Sequence, residues 1–351
     1  MATSNAQRFL TQDGDDRNIA LTMFWGTVLE AFKAKTLLWN AIGPEGEGTD
    51  SAPAPVVASK IVDAGKSWEF PIIGDDPTPT YHTPGTELLG QDVTLVNGTI
   101  TIDDILVAHY DVPLDQTQLS HFDVIEPFAR KLGRALAVDF DQKLFIMGFN
   151  AAYTAAVTNV HNGGNVVERV AATSAIAYAD TSTGAGYFLS DVAEMAQLLD
   201  EDNVPEDGRY LFATPYIRRI LRNNTNIFDK DYGNSTNVLN DRAIGVIEGF
   251  TFMPTTNHIP STNITTNPSK YNRNFAVGGD DEGEPVALIL CGAEEGSSAI
   301  GYVAGTGAAG PIHSYREFDE RRNTTFMKAQ MMVGAGVLSP WSAGVIHVDT
   351  A

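Results

Sequence analysis

The stretch DVIEPFARKLGRALAVDFDQKLFIMG, Asp123 to Gly148, decides how this chain is built. Ile125, Phe128, Leu132, Leu136, Phe140, Leu144 and Met147 recur every three or four positions and so share one helical face. Asp123 stands as an N-cap with Glu126 as its capping-box partner. Pro127 then falls in the first turn, where its missing N–H costs little. The pattern predicts about seven turns ending near Gly148, roughly 35–40 Å at 1.5 Å per residue. A helix that long is a strut.

Residues 56–110, upstream of the strut, read as strand. Ser67-Trp68-Glu69-Phe70-Pro71-Ile72 alternates polar and apolar, as a half-exposed strand does. Val93–Val96 and Thr99–Ile102 flank Asn97-Gly98, a dipeptide suited to a tight hairpin turn. Asp75–Thr80 and Pro84-Gly85 are turn chemistry without helical period. Such an extended excursion has few residues for a core of its own and is expected to gain its stability on another chain. In residues 1–55, Asp16 to Asn40 predicts an amphipathic helix with Leu21, Trp25, Val28 and Phe32 on one face. Gly43 to Pro55, rich in Gly, Pro, Ser and Glu, predicts a flexible connector. An apolar helix tethered in this way must dock on the body or on a neighbouring copy.

Beyond the strut the chain mixes short helices and strands. Ser190 is placed as the cap of a helix carrying Val192, Met195 and Leu199, which stops before Val204-Pro205. Tyr210–Phe212 predicts a buried strand and Pro215 the start of a helix through Ile217, Ile220 and Leu221. Gly249–Met253 and Val286–Leu290 predict further strands, and Thr325–Val348 alternates strand and turn signals. No internal repeat is present.

Composition narrows the function classes. The 351 residues are 43% hydrophobic, enough to bury a sizeable core, and carry 44 acidic against 23 basic residues for a formal charge of −21. That charge repels a phosphate backbone at long range and argues against a dedicated nucleic-acid binder. A single cysteine, Cys291, excludes an internal disulfide framework and a multi-cysteine metal site, and it sits in an apolar run as a small hydrophobe. The first residues hold no secretory signal, and Ile19 to Ala31 is too short and too interrupted to span a bilayer, so a soluble protein of a reducing cytoplasm is expected.

There is no phosphate-binding Gly-Lys loop, nucleophile elbow or zinc helix, and Gly301 to Gly310 reads as a loop. The seven histidines lack ligand spacing. Asp139 and Asp141, two apart on a helix, point to nearly opposite sides, and Asp103-Asp104 to opposite faces of a strand. Gly278 to Glu284 lacks the alternation of a calcium loop and reads as a solvated turn. Arg130, Lys131, Arg134 and Lys143 predict ion pairs or a solvated helix face, and Arg316, Arg321 and Arg322 sit among Glu317, Asp319 and Glu320. The census yields no catalytic, cofactor or metal constellation.

Five segments in order resemble the major capsid proteins of short-tailed bacteriophages, which share the Hong Kong 97-type capsid fold. Gly65–Gly74 is similar to the opening of that family's extended E-loop and Ile100–Leu106 to its return strand. His121-Phe122-Asp123-Val124 resembles the entry to its spine helix, Asn203–Leu211 its Asn-Val-Pro…Gly-Arg segment, and Gly334–Val345 its closing strand and turn. The resemblance implies an α+β fold divided into an N-terminal arm (1–55), an E-loop (56–110), a P-domain with the spine helix at about 123–148 (111–185), an A-domain (186–324) and a return strand to the P-domain (325–351). It implies a structural shell protein and no enzyme, assembling as pentamers and hexamers, with a scaffolding protein, a portal and in some shells a decoration protein as partners. Double-stranded DNA would be enclosed without sequence-specific binding, no membrane would be involved, and the protein would pass from host cytoplasm into the virion. Arm and E-loop lie across neighbouring subunits in that fold. The candidate subunit contacts are therefore Leu21, Trp25, Val28 and Phe32 on the arm, Trp68, Phe70 and Ile72 on the E-loop, and the pair Arg321 and Arg322.

Two other classes stay open. A bacterial nanocompartment uses the same fold as a cellular shell and would differ by an inner pocket for cargo peptides. A cytoplasmic enzyme would need a convergent pocket of perturbed acids or histidines. Joining of a lysine such as Lys60 or Lys66 to a neighbour's asparagine is a variant of the capsid reading, and a monomer band alone on a denaturing gel of particles would exclude it.

Overall fold

The computed structural model describes residues 15–38, 57–62, 65–74, 79–85, 87, 90, 94–103, 105–113, 125–158, 160–171, 173–223, 245–255, 264, 269–275, 283–292, 298–305 and 312–349. In chain order these form helix α1 (Asp15–Lys35), strands β1 (Val57–Val62), β2 (Ser67–Ile73), β3 (Leu95–Thr101) and β4 (Leu106–Pro113), and the long helix α2 (Ile125–Ala152). Strand β5 (Asn165–Val170), helices α3 (Ser174–Ala177) and α4 (Ser182–Glu201), β6 (Arg209–Ala213) and helix α5 (Pro215–Asn223) come next. The chain closes with β7 (Val246–Ile247), β8 (Phe250–Pro254), β9 (Glu284–Cys291), β10 (Ile300–Gly305), β11 (Ile312–Asp319), β12 (Thr324–Met331), β13 (Val333–Val337) and β14 (Ala343–Asp349). Short 3-10 turns occupy Ser269–Tyr271 and Pro340–Ser342.

Four sheets result, ordered β1-β10-β13, β11-β12-β4, β5-β14-β9-β6-β8-β7, and the hairpin β2-β3. The largest is mixed, with β14 parallel to β5 and antiparallel to β9, and β6 parallel to β8. Its strand β9 is buried from Pro285 to Cys291, because helices cover both faces. On one face Leu288, Leu290, Phe212 and Val345 join the core around α2; on the other Leu211, Ile289 and Ile346 meet Phe188, Val192, Met195 and Leu199 of α4 and Ile217, Ile220 and Leu221 of α5.

Helix α2 packs against α1 and against strands of three of the four sheets. Phe140 lies 5.9 Å from Phe32 of α1 and 5.2 Å from Tyr302 of β10, and Phe145 lies 5.4 Å from Phe212 of β6. At 28 residues it spans about 42 Å. It runs past the expected stop at Gly148 to Ala152 because Gly148 is a packing residue. A Cβ there would come within 2.8 Å of Leu288, so the missing side chain lets the helix lie down on the sheet. The expected cap Asp123 lies outside the described residues, and Pro127 falls in the first turn.

Other boundaries shift for similar local reasons. Asn97-Gly98 makes no turn; both residues lie inside β3, paired with Pro71 and Phe70. The Phe70 ring lies over Gly98, 2.4 Å from where a Cβ would stand, so a side chain there would have to displace that ring. Helix α4 begins eight residues before Ser190, capped by the Thr181 hydroxyl, which accepts from the Gly184 N–H at 3.1 Å. A domain boundary at 185/186 would cut this helix. Strand β5, placed with the strut by that boundary, belongs to the six-stranded sheet, and the tail divides, β12 pairing with β4 while β14 crosses to β9 and β5. Gly301–Gly305 is strand β10 and not loop, with Gly301 packed under Leu338. The acidic run at 278–282 lies outside the described residues.

Candidate subunit-contact surfaces

The β2–β3 hairpin has two unlike faces. Register places Trp68, Phe70 and Ile72 on the same side as Ile100, Gly98 and Val96, and Ser67 and Glu69 on the side of Thr99 and Thr101. Trp68 and Phe70 stack with ring centroids 5.6 Å apart, and the Lys60 ammonium sits 5.6 Å from the Trp68 ring. Only the root of this apolar face is covered: Ile100 is buried over Gly336, whereas Trp68, Phe70 and Ile72 remain half-buried. At the far end of that face Val96 is 38% exposed, and on the opposite face Ile73 and Leu95 are 68% and 69% exposed. A two-stranded hairpin has little core of its own, and this one leaves the apolar side chains of Trp68, Phe70 and Ile72 only half-buried.

The root is pinned by a polar cluster. The Asp103 carboxylate, just beyond β3, receives the Lys270 ammonium at 2.6 Å on one oxygen and the Tyr271 hydroxyl at 2.6 Å on the other. Lys270 also donates to the Ala335 carbonyl at 3.1 Å, and the Ala335 N–H donates to the Tyr271 hydroxyl at 3.2 Å. Burial, followed by the bond to Asp103, pushes the Tyr271 phenol well above its ordinary value, so it stays a donor. Asp103 was expected on a strand; it lies in the loop after β3.

The arm presents a different picture. Val28 and Phe32 are fully buried against α2 of the same chain, together with Phe24, so this chain itself covers them. The side chains of Leu21 and Trp25 lie outside the described residues. The helices touch backbone to backbone at Gly133, where a Cβ would lie 2.3 Å from the Val28 carbonyl oxygen. Asp141 fastens the end of α1. It is fully buried and accepts from the Thr36 hydroxyl at 2.6 Å and the Leu37 N–H at 2.9 Å. It is no solvated-face acid, unlike Asp139, which pairs with Lys143 at 3.1 Å, or Glu126, which pairs with Arg130 at 2.6 Å. Its position was legible in part, since Asp141 lies four residues after Ala137 and three before Leu144, both buried. Beside it, a groove of about 400 Å³ between α1 and α2 is lined by Thr27, Glu30, Lys35, Arg130 and Arg134.

Arg321 and Arg322 occupy the turn joining β11 to β12, where both backbone N–H groups donate to Asp319 Oδ1, at 2.9 and 3.4 Å. The Arg322 guanidinium is 3.9 Å from Asp319, and both side chains are exposed at the tip. Asn323 holds φ 56°, completing the turn.

Two networks, each with one buried charged member, join the six-stranded sheet to its helices and turns. Arg209 binds Asp200 at 2.7 Å and the Pro205 carbonyl at 2.9 Å, closing the Asn203–Gly208 turn, in which both end residues adopt positive φ. Arg169 grips Asp191 in a two-point ion pair, and Asp191 also accepts from the Tyr178 hydroxyl at 2.7 Å. His347 meets the Tyr153 hydroxyl at 2.8 Å, and burial lowers its pKa from the ordinary 6.5. Burial pushes the Cys291 thiol up to about 12, leaving it an inert core group. Among the described residues no group of three or more His, Cys, Asp or Glu side chains could hold a metal ion, and no helix is long and apolar enough to cross a membrane.

These geometries have relatives. A family model described as Gp10A-like major capsid protein matches residues 69–347. The capsid structure of cyanophage P-SCSP1u is similar with a TM-score of 0.70 and 25% identity, over 84% of this chain and 87% of that one. The mature capsid of bacteriophage PhiM1 is similar with a TM-score of 0.68 and 13% identity, over 98% and 97%. A virus-like particle from Pyrococcus furiosus is similar at 0.52 and 12%, over 93% and 99%. No curated protein sequence matches.

Proposed function

This chain belongs to the Gp10A-like major capsid protein family, with the Hong Kong 97-type fold and the role of a capsid-shell subunit, and on that premise we propose how it builds the shell. Copies associate as pentamers and hexamers, guided by a scaffolding protein, into an icosahedral shell around double-stranded DNA. The observation that carries the reading is the half-covered Trp68/Phe70/Ile72 face of a hairpin rooted at only one end. A neighbouring copy covers that face, and symmetry repeats the contact until the shell closes. The tips carrying Arg321 and Arg322 meet acidic groups of adjacent copies and help to set register.

The segment roles follow with adjusted boundaries. Residues 1–55 form an arm whose helix belongs to its own subunit's body, 56–110 the E-loop, and α2 with the β4-β12-β11 sheet the P-domain. The six-stranded sheet with α4 and α5 forms the A-domain, taking in β5 and the closing β14. The charge of −21 supports a container that holds DNA without adhering to it. A portal, and in some shells a decoration protein, complete the partners, and assembly takes place in the host cytoplasm.

Electron microscopy of the full chain co-expressed with its scaffolding protein tests this reading. Closed shells are expected, and Trp68→Asp is expected to leave unassembled subunits whose melting temperature is unchanged. Normal shells from Trp68→Asp would remove the hairpin contact from the account. The similarity to the Pyrococcus furiosus particle keeps a cellular shell as the second reading, and closed empty shells formed without any scaffolding protein would favour it.

A further inference from the structure

We infer that Asp103, Lys270 and Tyr271 are positioning residues that set the angle of the β2–β3 hairpin against the body before a neighbour binds it. The inference rests on the reading that this hairpin is an assembly contact. A two-stranded ribbon has no core of its own, so its direction is dictated where it joins the body. There the Ile102 N–H donates to the Lys66 carbonyl at 2.7 Å and the Asp103 N–H to the Val333 carbonyl at 3.3 Å, which ties both strands together and to β13. Backbone contacts of this kind leave a hinge free to bend. The Asp103 side chain removes that freedom, because its two oxygens are held from one side by Lys270 and Tyr271. Those two residues are themselves fixed: Lys270 and Tyr271 both bond Ala335, and the Lys270 carbonyl accepts from Asn150 of α2 at 3.3 Å.

The cluster therefore joins the hairpin root, β13 and the long helix through groups 168 residues apart in sequence. The Asp103 side chain is 7% and Tyr271 1% exposed, so water is kept from the bond between them, while the Lys270 side chain stays 31% exposed. Tight packing adds a stop: a Cβ on Gly334 would lie 1.8 Å from the Thr101 carbonyl oxygen, so β13 abuts the hairpin root directly. A hairpin held at one angle meets its neighbour preorganised, and the ordering cost is met during folding and not at each assembly step.

The test uses the full chain carrying spin labels at Glu69→Cys, on the polar hairpin face, and Ala135→Cys, exposed on α2. The native Cys291 is buried and stays unlabelled. A narrow label-to-label distance distribution is expected in the parent, a broad one in Lys270→Met and Asp103→Asn, and a narrow one again in Lys270→Arg. With scaffolding protein, the two broadened variants should close shells about tenfold more slowly, through the ordering now left to assembly. Circular dichroism of α2 should be unchanged in all of them. Narrow distributions in Lys270→Met and Asp103→Asn would overturn the inference whatever the shells do, and so would broad distributions with unaltered closure in a chain that Trp68→Asp still disables. If Trp68→Asp assembles normally, it is the hairpin contact itself that has failed.

Discussion

Gly133 shows how much one side chain's absence decides. Its Cα faces the Val28 carbonyl of α1 so closely that an added Cβ would stand 2.3 Å from that oxygen, and backbone cannot swing aside. Gly133→Val is therefore expected to lower stability by about 1–3 kcal/mol, the usual range for overpacking, as read by the urea midpoint. An unchanged midpoint would mean that α1 does not lie on α2 in solution. Asp141→Ala attacks the same contact from the polar side. Stranding the Thr36 hydroxyl and Leu37 N–H should cost about 1–3 kcal/mol and speed hydrogen exchange at the end of α1 more than in α4. His347 gives a pH signature. Its folded pKa is lowered by burial, opposed by Glu168 and Asp349, so the unfolded chain binds the extra proton. The contribution is complete above about 6.5 and is lost as pH falls through that value towards the folded pKa, a slope that His347→Gln should flatten in melts between pH 7.5 and 5.

At the scale of elements, the hairpin and the strut differ in how far local pattern could take them. The strut was legible because its seven apolar residues keep one period over many turns, and Leu132, Leu136, Phe140, Leu144 and Met147 all enter one core. Its end was not, since Gly148 looks like a stop by composition and is a packing residue only because Leu288, far along the chain, comes down on it. Asn97-Gly98 misled for the mirror reason: the dipeptide suits a turn, but the Phe70 ring across the ladder needs the space that Gly98 leaves. The alternation of Trp68, Phe70 and Ile72 was read with the correct face, and the structure leaves that face half-covered. Its weight is testable by Phe70→Ser, which removes the ring from both Trp68 and Gly98. Shell yield in sedimentation should fall several-fold while calorimetry of the free subunit moves by less than about 2 °C, because surface changes outside the core stay near 0.5 kcal/mol. Loss of both together would place the hairpin in the subunit's own core.

For the whole molecule, the order of segments was visible in the chain, whereas the pairings that bind them were not. Nothing local joins β1 to β10, Asp103 to Lys270, or β14 to β5, because each is decided by which surfaces remain after the long helix has packed. Charge was visible from the start, and it makes two opposed demands on assembly. A formal −21 on every copy repels across the distances at which subunits first meet, and salt weakens that repulsion, with a Debye length of about 10 Å at 0.1 M. Contacts by Arg321 and Arg322 act only at the joined interface, and exposed pairs of their kind are worth at most about 1 kcal/mol each. Repulsion spread over the whole surface outweighs two exposed tips. Raising salt from about 0.05 to about 0.5 M, where screening shrinks the reach of charge roughly threefold, should therefore accelerate shell growth in light scattering. Arg321→Glu, which adds to the repulsion, should steepen that salt dependence. Assembly that slows with salt would reverse the ranking, making the charged tips and not the apolar hairpin the dominant contact.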